Sequence, residues 1–323
     1  MRSWSAAGPT EGPDLTARVG DVVLRNPVMT ASGTAGVGAE LAAYLDPGAL
    51  GAVVVKSLSA TAWPGNPAPR LVPVAAGLLN GVGLHNPGVP AWLDDHLPAL
   101  AGTGAAVVAS VWGSTADQYR EAAALLASAP ADGPRRAVRA VEVNVSCPNL
   151  EDRSRVFANA PDTAAAAVAA AVDGLRGSGL PVWAKLSPNV TDLVAIAGAV
   201  LDAGAAGLTL VNTLMGLAVD PSSGTLRPAR GGGLSGPALH PVAVRAVYEC
   251  RAAWPHAPIV GVGGVGSGRD AAELLAAGAD AVQVGTATFA EPTAAARILA
   301  ELRHWCRHHG VQRLDQLKGR AHA

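Results

Sequence analysis

Residues 144–149 read NVSCPN and set Asn144, Ser146, Cys147 and Asn149 directly behind an apolar alternating run, AVEVNV. By type alone, a cysteine is most often a small buried hydrophobe. In a polar loop stiffened by Pro148 it can instead reach solvent and lose its proton. A thiol whose free pKa is roughly 8.5 then makes a competent general base near neutral pH. Cys250, in AVRAVYECRAAW, and Cys306, in RHWCRHH, lie in helical runs without such neighbours and read as structural. The three cysteines form neither a CxxC pair nor a metal cluster, so a reduced, cytoplasmic protein is expected. The histidines around Cys306 point around a helix rather than to one side, and no metal site is expected there.

Other side chains with chemical capacity stand at the ends of Val-rich runs. Lys56 closes AVVVK and Lys185 lies in VWAKL; a lysine in such a run is costly to desolvate and calls for an anionic or hydrogen-bonding partner. Ser32, Ser110, Asn212 with Thr213, Gly263 with Gly264, and Gly285 with Thr286 close others. Asn80, Asn86, Asn144, Asn149 and Asn212 are singly ordinary turn residues. Gathered on one rim, they would offer paired donors and acceptors suited to a planar heterocycle with amide edges. GVGGVG at 261–266 matches the dinucleotide pattern GxGxxG, but too few residues follow to complete that fold, and Asp280 precedes its strand instead of ending it. The same glycines suit a phosphate held on bare backbone N–H groups, and SGP at 235–237 adds donors.

The elements that must position these residues alternate. PVMTA (27–31), AVVVK (52–56), AVVASV (106–111), AVEVNV (140–145), VWAKL (182–186), GLTLVN (207–212), IVGVG (259–263) and AVQVG (281–285) read as strands. Between them DQYREAAALLASA, PDTAAAAVAAAVDGLRG, TDLVAIAGAVLDAGA, PALHPVAVRAVYECRAAW and GRDAAELLAAGA have helical spacing. This rhythm predicts an α/β fold, a closed (β/α)8 TIM barrel, with TARVGDVVLRN forming a small N-terminal β-hairpin that caps the barrel floor. Such barrels do their chemistry where the strands end, which would bring the residues above onto one rim. The expected organisation is a flexible segment at 1–17, one domain at 18–310 and a tail at 311–323. Two connections, Ser57 to about Pro90 and Thr213 to about Pro237, are long, lack helices of their own and read as binding loops. LEDRSRVFANAP reads as a third mobile element over the site.

A formal charge of −1 with scattered Lys and Arg argues against nucleic acid or an anionic membrane as partner. The longest apolar runs fall short of the roughly 18 residues that a spanning helix needs. The opening MRSWSAAGPTEGPD lacks an apolar signal core, which argues against secretion.

Taken together, ASGT (31–34), VVKS (54–57), NPAPR (66–70), LLNGVGLHNPG (78–88), NVSCPN, AKLSPNVTD (184–192), VNTLMG (211–216), GGLSGPAL (232–239), GVGGV (261–265) and VGTA (284–287) resemble the class 1 dihydroorotate dehydrogenases. The likeness is nearest to the NAD-linked type, whose catalytic subunit works with an iron–sulfur FAD electron-transfer subunit. It implies bound FMN and oxidation of (S)-dihydroorotate to orotate in pyrimidine (UMP) biosynthesis. A base takes the proton from C5 while hydride leaves C6 for flavin N5, and the matching base is Cys147. Lys185 matches the residue beside flavin N1 and O2. Lys56, Asn80, Asn144, Asn149 and Asn212 match the positions that hold orotate, flanked by Gly81, Val82, Gly83, Leu84 and Thr213; Lys56 also touches the flavin. Ala31, Ser32, Gly33, Ser57, Ser110, Asn144 and Val211 match flavin contacts. Ser235, Gly236, Gly263, Gly264, Gly285 and Thr286 match the phosphate cradle. No metal is implied, and the assembly would be a homodimer or a heterotetramer.

The chain departs from the pattern in two places. Ser110 stands where the family usually has Asn, as dihydropyrimidine dehydrogenases tolerate, and the loop after Cys147 is short and lacks the usual glycines. A flavoenzyme acting on dihydrouracil or uracil is therefore the alternative. Fumarate or another soluble oxidant is an alternative to NAD as acceptor. A flavin-free, phosphate-binding barrel lyase or isomerase would share the fold but leave the Cys147 loop unexplained. A non-enzymatic binding subunit is opposed by the intact set of lysines and asparagines.

Overall fold

Val, Ala and Leu fill the short runs between charged helices, and in the protein these runs become strands buried on both faces. A computed structural model describes residues 12–146 and 157–323. Strands β1 (Ala17–Val19) and β2 (Val22–Leu24) pair antiparallel, each with its two end residues buried and its middle one exposed. The barrel strands are β3 (Val28–Thr30), β4 (Val53–Val54), β7 (Val107–Val111), β8 (Val138–Asn144), β9 (Val182–Leu186), β10 (Gly207–Leu210), β13 (Ile259–Val262) and β14 (Ala281–Val284). Between them in sequence fall β5 (Leu71–Val74), β6 (Gly77–Asn80), β11 (Leu214–Val219) and β12 (Leu226–Ser235).

The eight-stranded sheet runs β3-β14-β13-β10-β9-β8-β7-β4, and its adjacent strands pair in parallel. A parallel bridge from Met29 to Ala52 and the Thr30 N–H donating to the Ala52 carbonyl at 3.2 Å close it into a barrel. Every residue of β7, β9, β10, β13 and β14 is buried, as a parallel strand covered on both sides requires. The TIM barrel expected from the strand rhythm is thus present. The β1–β2 turn at Gly20 lies against Pro258 and Ala206, the residues leading into β13 and β10, so the hairpin covers the amino-terminal floor.

Helices follow the strands: α1 (Val89–Ala91) and α2 (Leu97–Gly102), joined by a π-helical turn, α3 (Ala116–Ser128), α4 (Pro161–Gly174), α5 (Leu193–Asp202), α6 (His240–Ala253), α7 (Gly268–Ala276), α8 (Ala287–Ala290) and α9 (Ala294–His308). Their starts are set by side chains that take up otherwise unpaired N–H groups. The Thr115 hydroxyl accepts from Gln118 N–H, Asp192 from Ala195 N–H, and Ser267 with Asp270 makes a capping box. No helix among the described residues is long and apolar enough to cross a membrane.

Two stretches differ from expectation. The long connections at 57–90 and 213–237 are not bare loops: they supply a second, four-stranded antiparallel sheet ordered β11-β12-β6-β5. Residues 311–323, expected as a tail, pack back onto the body. Leu314 N–H donates to the Asp14 carbonyl at 3.1 Å, and Val311, Leu314 and Leu317 are buried.

Candidate active site

The carboxyl ends of the barrel strands and one face of the four-stranded sheet enclose a cavity of about 910 Å³. Each strand exit delivers something polar to it. Ala31, Ser32 and Gly33 follow β3, Lys56 and Ser57 follow β4, Asn144 ends β8, and Lys185 is the penultimate residue of β9. Val211, Asn212 and Thr213 follow β10, Gly263 and Gly264 follow β13, and Gly285 and Thr286 follow β14. The second sheet adds Asn80 with Gly81, Val82, Gly83 and Leu84 behind β6, and Ser235 with Gly236 at the end of β12. The sequence-derived site residues therefore converge, except Cys147, Asn149, Ser110 and, from the expected rim asparagines, Asn86. Cys147 and Asn149 lie outside the described residues, and Ser110 is fully buried and absent from the lining.

Side-chain hydrogen bonds tie the polar floor together. The Ser57 hydroxyl pairs with those of Ser32 at 3.2 Å and Ser110 at 2.9 Å and accepts from Asn144 Nδ2 at 3.3 Å. Asn144 Oδ1 in turn accepts from Asn212 Nδ2 at 3.1 Å and from the Ser146 N–H at 3.1 Å, and Tyr119 OH donates to the Asn144 carbonyl at 2.7 Å. The short Ser110 side chain thus holds Ser57 from behind. Asn80 Nδ2 donates to the Gly233 carbonyl at 3.1 Å, which fixes its amide against β12. Asn86, expected on the rim, is a loop clamp: its Oδ1 accepts from the Ser59 and Gly88 N–H groups and its Nδ2 donates to the Leu84 carbonyl.

At the far end the backbone closes on glycine. Gly264 has φ 64°, and a β-carbon there would come within 2.6 Å of His240 Cβ and 2.9 Å of the Gly236 oxygen. Only glycine fits the backbone at this corner without a clash. The Thr286 hydroxyl donates to Ser235 Oγ at 2.7 Å beside it, and His240 Nδ1–H donates to the Gly263 carbonyl at 2.9 Å.

Lys185 is 5 % exposed, and its Nζ lies 3.7 Å from Oε1 of the fully buried Glu142. Sequence reasoning passed over Glu142, although an acid inside a Val-rich strand carries the same signal as the lysines. It also missed Trp63 and Trp112, which line the cavity and meet edge to face at 5.5 Å, with Trp63 Nε1 donating to the Gly83 carbonyl at 3.0 Å. Trp112 directly follows β7, where a strand-exit rule could have found it.

Cys250 and Cys306 are fully buried. Burial, with the nearby acids Glu249 and Asp192 adding to it, pushes the Cys250 thiol up to about 12, and burial pushes Cys306 up as well. Both stay protonated and unreactive at pH 8. Iodoacetamide treatment of the native protein at pH 8 is therefore expected to label Cys147 alone, as read by peptide mass spectrometry. Early labelling of Cys250 or Cys306 would contradict this.

Residues 14–305 match the dihydroorotate dehydrogenase family. A protein of Pelobacter propionicus named dihydroorotate dehydrogenase B (NAD(+)), catalytic subunit, is 44% identical over 310 residues, covering 95% of this chain and 98% of the relative. Proteins of the same name from Geobacter sp. (43% over 310 residues, 95% and 98%) and Desulforudis audaxviator (44% over 307 residues, 94% and 96%) are similar to the same extent. With a family match across nearly the whole chain and a TIM barrel whose rim gathers those motifs, this protein belongs to the dihydroorotate dehydrogenase family of oxidoreductases.

Proposed function

We propose that this protein oxidises (S)-dihydroorotate to orotate in pyrimidine biosynthesis, with FMN held in the barrel-rim cavity and Cys147 as the general base. One observation carries the reading: Lys56 and Lys185, Asn80, Asn144 and Asn212, and a glycine-lined backbone corner share a single cavity.

The residues present fit FMN. A cavity of about 910 Å³ lies within the usual range for cofactor sites, roughly 300–1,000 Å³. The corner at Gly236, Gly263 and Gly264 would hold the phosphate on backbone N–H groups, with Ser235 and Thr286 adding hydroxyls. Lys185 would bring positive charge to the ring edge where reduction places negative charge. Bound FMN supplies the acceptor for the hydride.

The remaining work falls to the protein. Lys56 brings a cation toward the substrate carboxylate, and Asn80, Asn144, Asn149 and Asn212 supply amide donors and acceptors to the ring. Because Asn144 and Asn212 are already bonded to each other, little motion is left to freeze on binding. Ser146, the residue before Cys147, is pinned through its N–H to Asn144, so the base of the loop carrying the thiol is anchored to the same network. From there Cys147 takes the C5 proton. The Trp63–Trp112 pair forms one apolar wall of the cavity.

Electrons then leave for a partner. The relatives are named as NAD(+)-linked catalytic subunits. We infer an iron–sulfur FAD subunit that passes electrons to NAD, in a heterotetramer built on a homodimer of this chain, in the cytoplasm. Three widely separated cysteines give this chain no ligand set for such a cluster of its own.

Ser110 was the ground for a dihydrouracil enzyme, and it lies behind Ser57 rather than on the cavity wall. Anaerobic rapid mixing separates the two substrates. Dihydroorotate is expected to bleach the flavin at least about 10³-fold faster than dihydrouracil, since a site built around a substrate group strongly rejects the analogue lacking it. Equal rates, or bleaching by dihydrouracil alone, would overturn the assignment.

A further inference from the structure

We propose that Glu142 is a positioning residue for Lys185: a buried counter-charge that tempers the pull of the lysine on reduced flavin, so that electrons can move on to the acceptor. This rests on the FMN reading above.

Glu142 and Lys185 sit on neighbouring strands, with β8 and β9 in register through Glu142 with Trp183 and Asn144 with Lys185. Alternate residues of a strand share a face, so Glu142 points to the same interior as the cavity-lining Asn144, one layer deeper. Its side chain is fully buried and that of Lys185 is 7 % exposed. One carboxylate oxygen, Oε2, accepts from Gln283 Nε2 on β14 at 2.7 Å. The other, Oε1, has no hydrogen-bond partner among the described residues and faces the Lys185 ammonium at 3.7 Å.

This is a poor arrangement if stability alone is the purpose. Removing a carboxylate from water is expensive, and a long ion pair without a tight hydrogen bond recovers little of it. Barrel interiors are ordinarily filled by Val, Ile and Leu at such positions. A carboxylate clamped on one side by Gln283 and aimed on the other at a cavity lysine makes sense as a charge device. An isolated cation at the ring edge would stabilise the anion formed on reduction and hold the electrons there. With Glu142 behind it, the pair is nearly neutral before reduction, and the electrons are held less firmly.

The decisive variant is Glu142→Gln, which keeps the shape and an oxygen for Gln283 but removes the charge. Reduction potential, measured by dye equilibration in the absence of dihydroorotate, reads the effect without turnover. The affinity ratio for reduced over oxidised FMN is expected to rise at least about tenfold, a shift of about 30 mV upward for a two-electron couple. Glu142→Asp, which keeps the charge, is expected to stay within about threefold of the parent. A potential that is unmoved or lowered in Glu142→Gln overturns the proposal.

A second arm needs no flavin. In the apoprotein, Lys185→Met strands the carboxylate, and the melting temperature is expected to fall by about 5 °C or more. Adding Glu142→Gln should restore at least half of that loss; purely additive losses would overturn the pairing. If Glu142→Gln alone does not fold, this double variant decides. A protein that takes up no FMN would instead defeat the cofactor reading, while the apoprotein cycle would still report on the pair.

Discussion

Replacing Cys147 by alanine is expected to slow flavin reduction by dihydroorotate at least about 10²-fold while leaving FMN bound, because general-base assistance is lost and the cofactor contacts are not. The asparagines around the position cannot substitute. Asn144 has its amide oxygen taken by Asn212 and the Ser146 N–H, and an amide is in any case a feeble proton acceptor. The measurement is single-turnover bleaching under anaerobic conditions, with FMN content read from the visible spectrum. An alanine variant that reduces at the parent rate would remove Cys147 from the chemistry.

The second large effect is expected at Lys185. Methionine there should lower the rate of flavin reduction by about 10²–10³-fold, the usual loss when a preorganised charge aimed at developing charge is removed. The lysine is 5 % exposed and Glu142 is its counter-ion, so little water is at hand to replace its field. The affinity for orotate, read by spectral titration, should change far less than the rate, because in the proposed site the amides and Lys56 are the groups that would hold that ligand. A variant that loses orotate binding while keeping its reduction rate would make Lys185 a binding residue only.

Much of this was readable from the chain because barrel strands carry a local signal. VWAKL at 182–186 is a strand over those same residues, and the other runs differ from the observed strands by a residue or a few at either end. The strand exits then named Ser32, Lys56, Asn144, Lys185, Asn212, Thr213 and Thr286 on the cavity wall, since position at a barrel rim follows from strand order, whereas Asn80 and Ser235 lie on the second sheet, away from any barrel-strand exit. What stayed hidden depends on pairing between distant segments. β12 pairs with β6, although Asn80 and Gly233 are 153 residues apart, and the Gly run 231–233 and Pro73 in β5 mask any strand-like alternation. Asn86 was misjudged because a turn asparagine and a ligand asparagine look alike until hydrogen-bond partners are known. Ser110 was placed on the cavity for the same reason: its strand position is right, but Ser57 stands in front of it.

The four-stranded sheet also explains how an ordinary barrel rim becomes a closed site. Asn80 and Gly236 reach the cavity only because β6 and β12 lie side by side, in pairs such as Leu78 with Ser235, which brings a candidate substrate amide and the phosphate corner onto one wall. Barrel and added sheet thus both contribute residues to the cavity wall.

An anaerobic titration of the purified protein with dihydroorotate tests the central claim most directly. The protein is expected to be yellow with about one FMN per chain, and about one equivalent of dihydroorotate should bleach it fully, forming one orotate, as a two-electron exchange requires. A protein that takes up no FMN, or one that keeps its full colour in excess dihydroorotate, would contradict it.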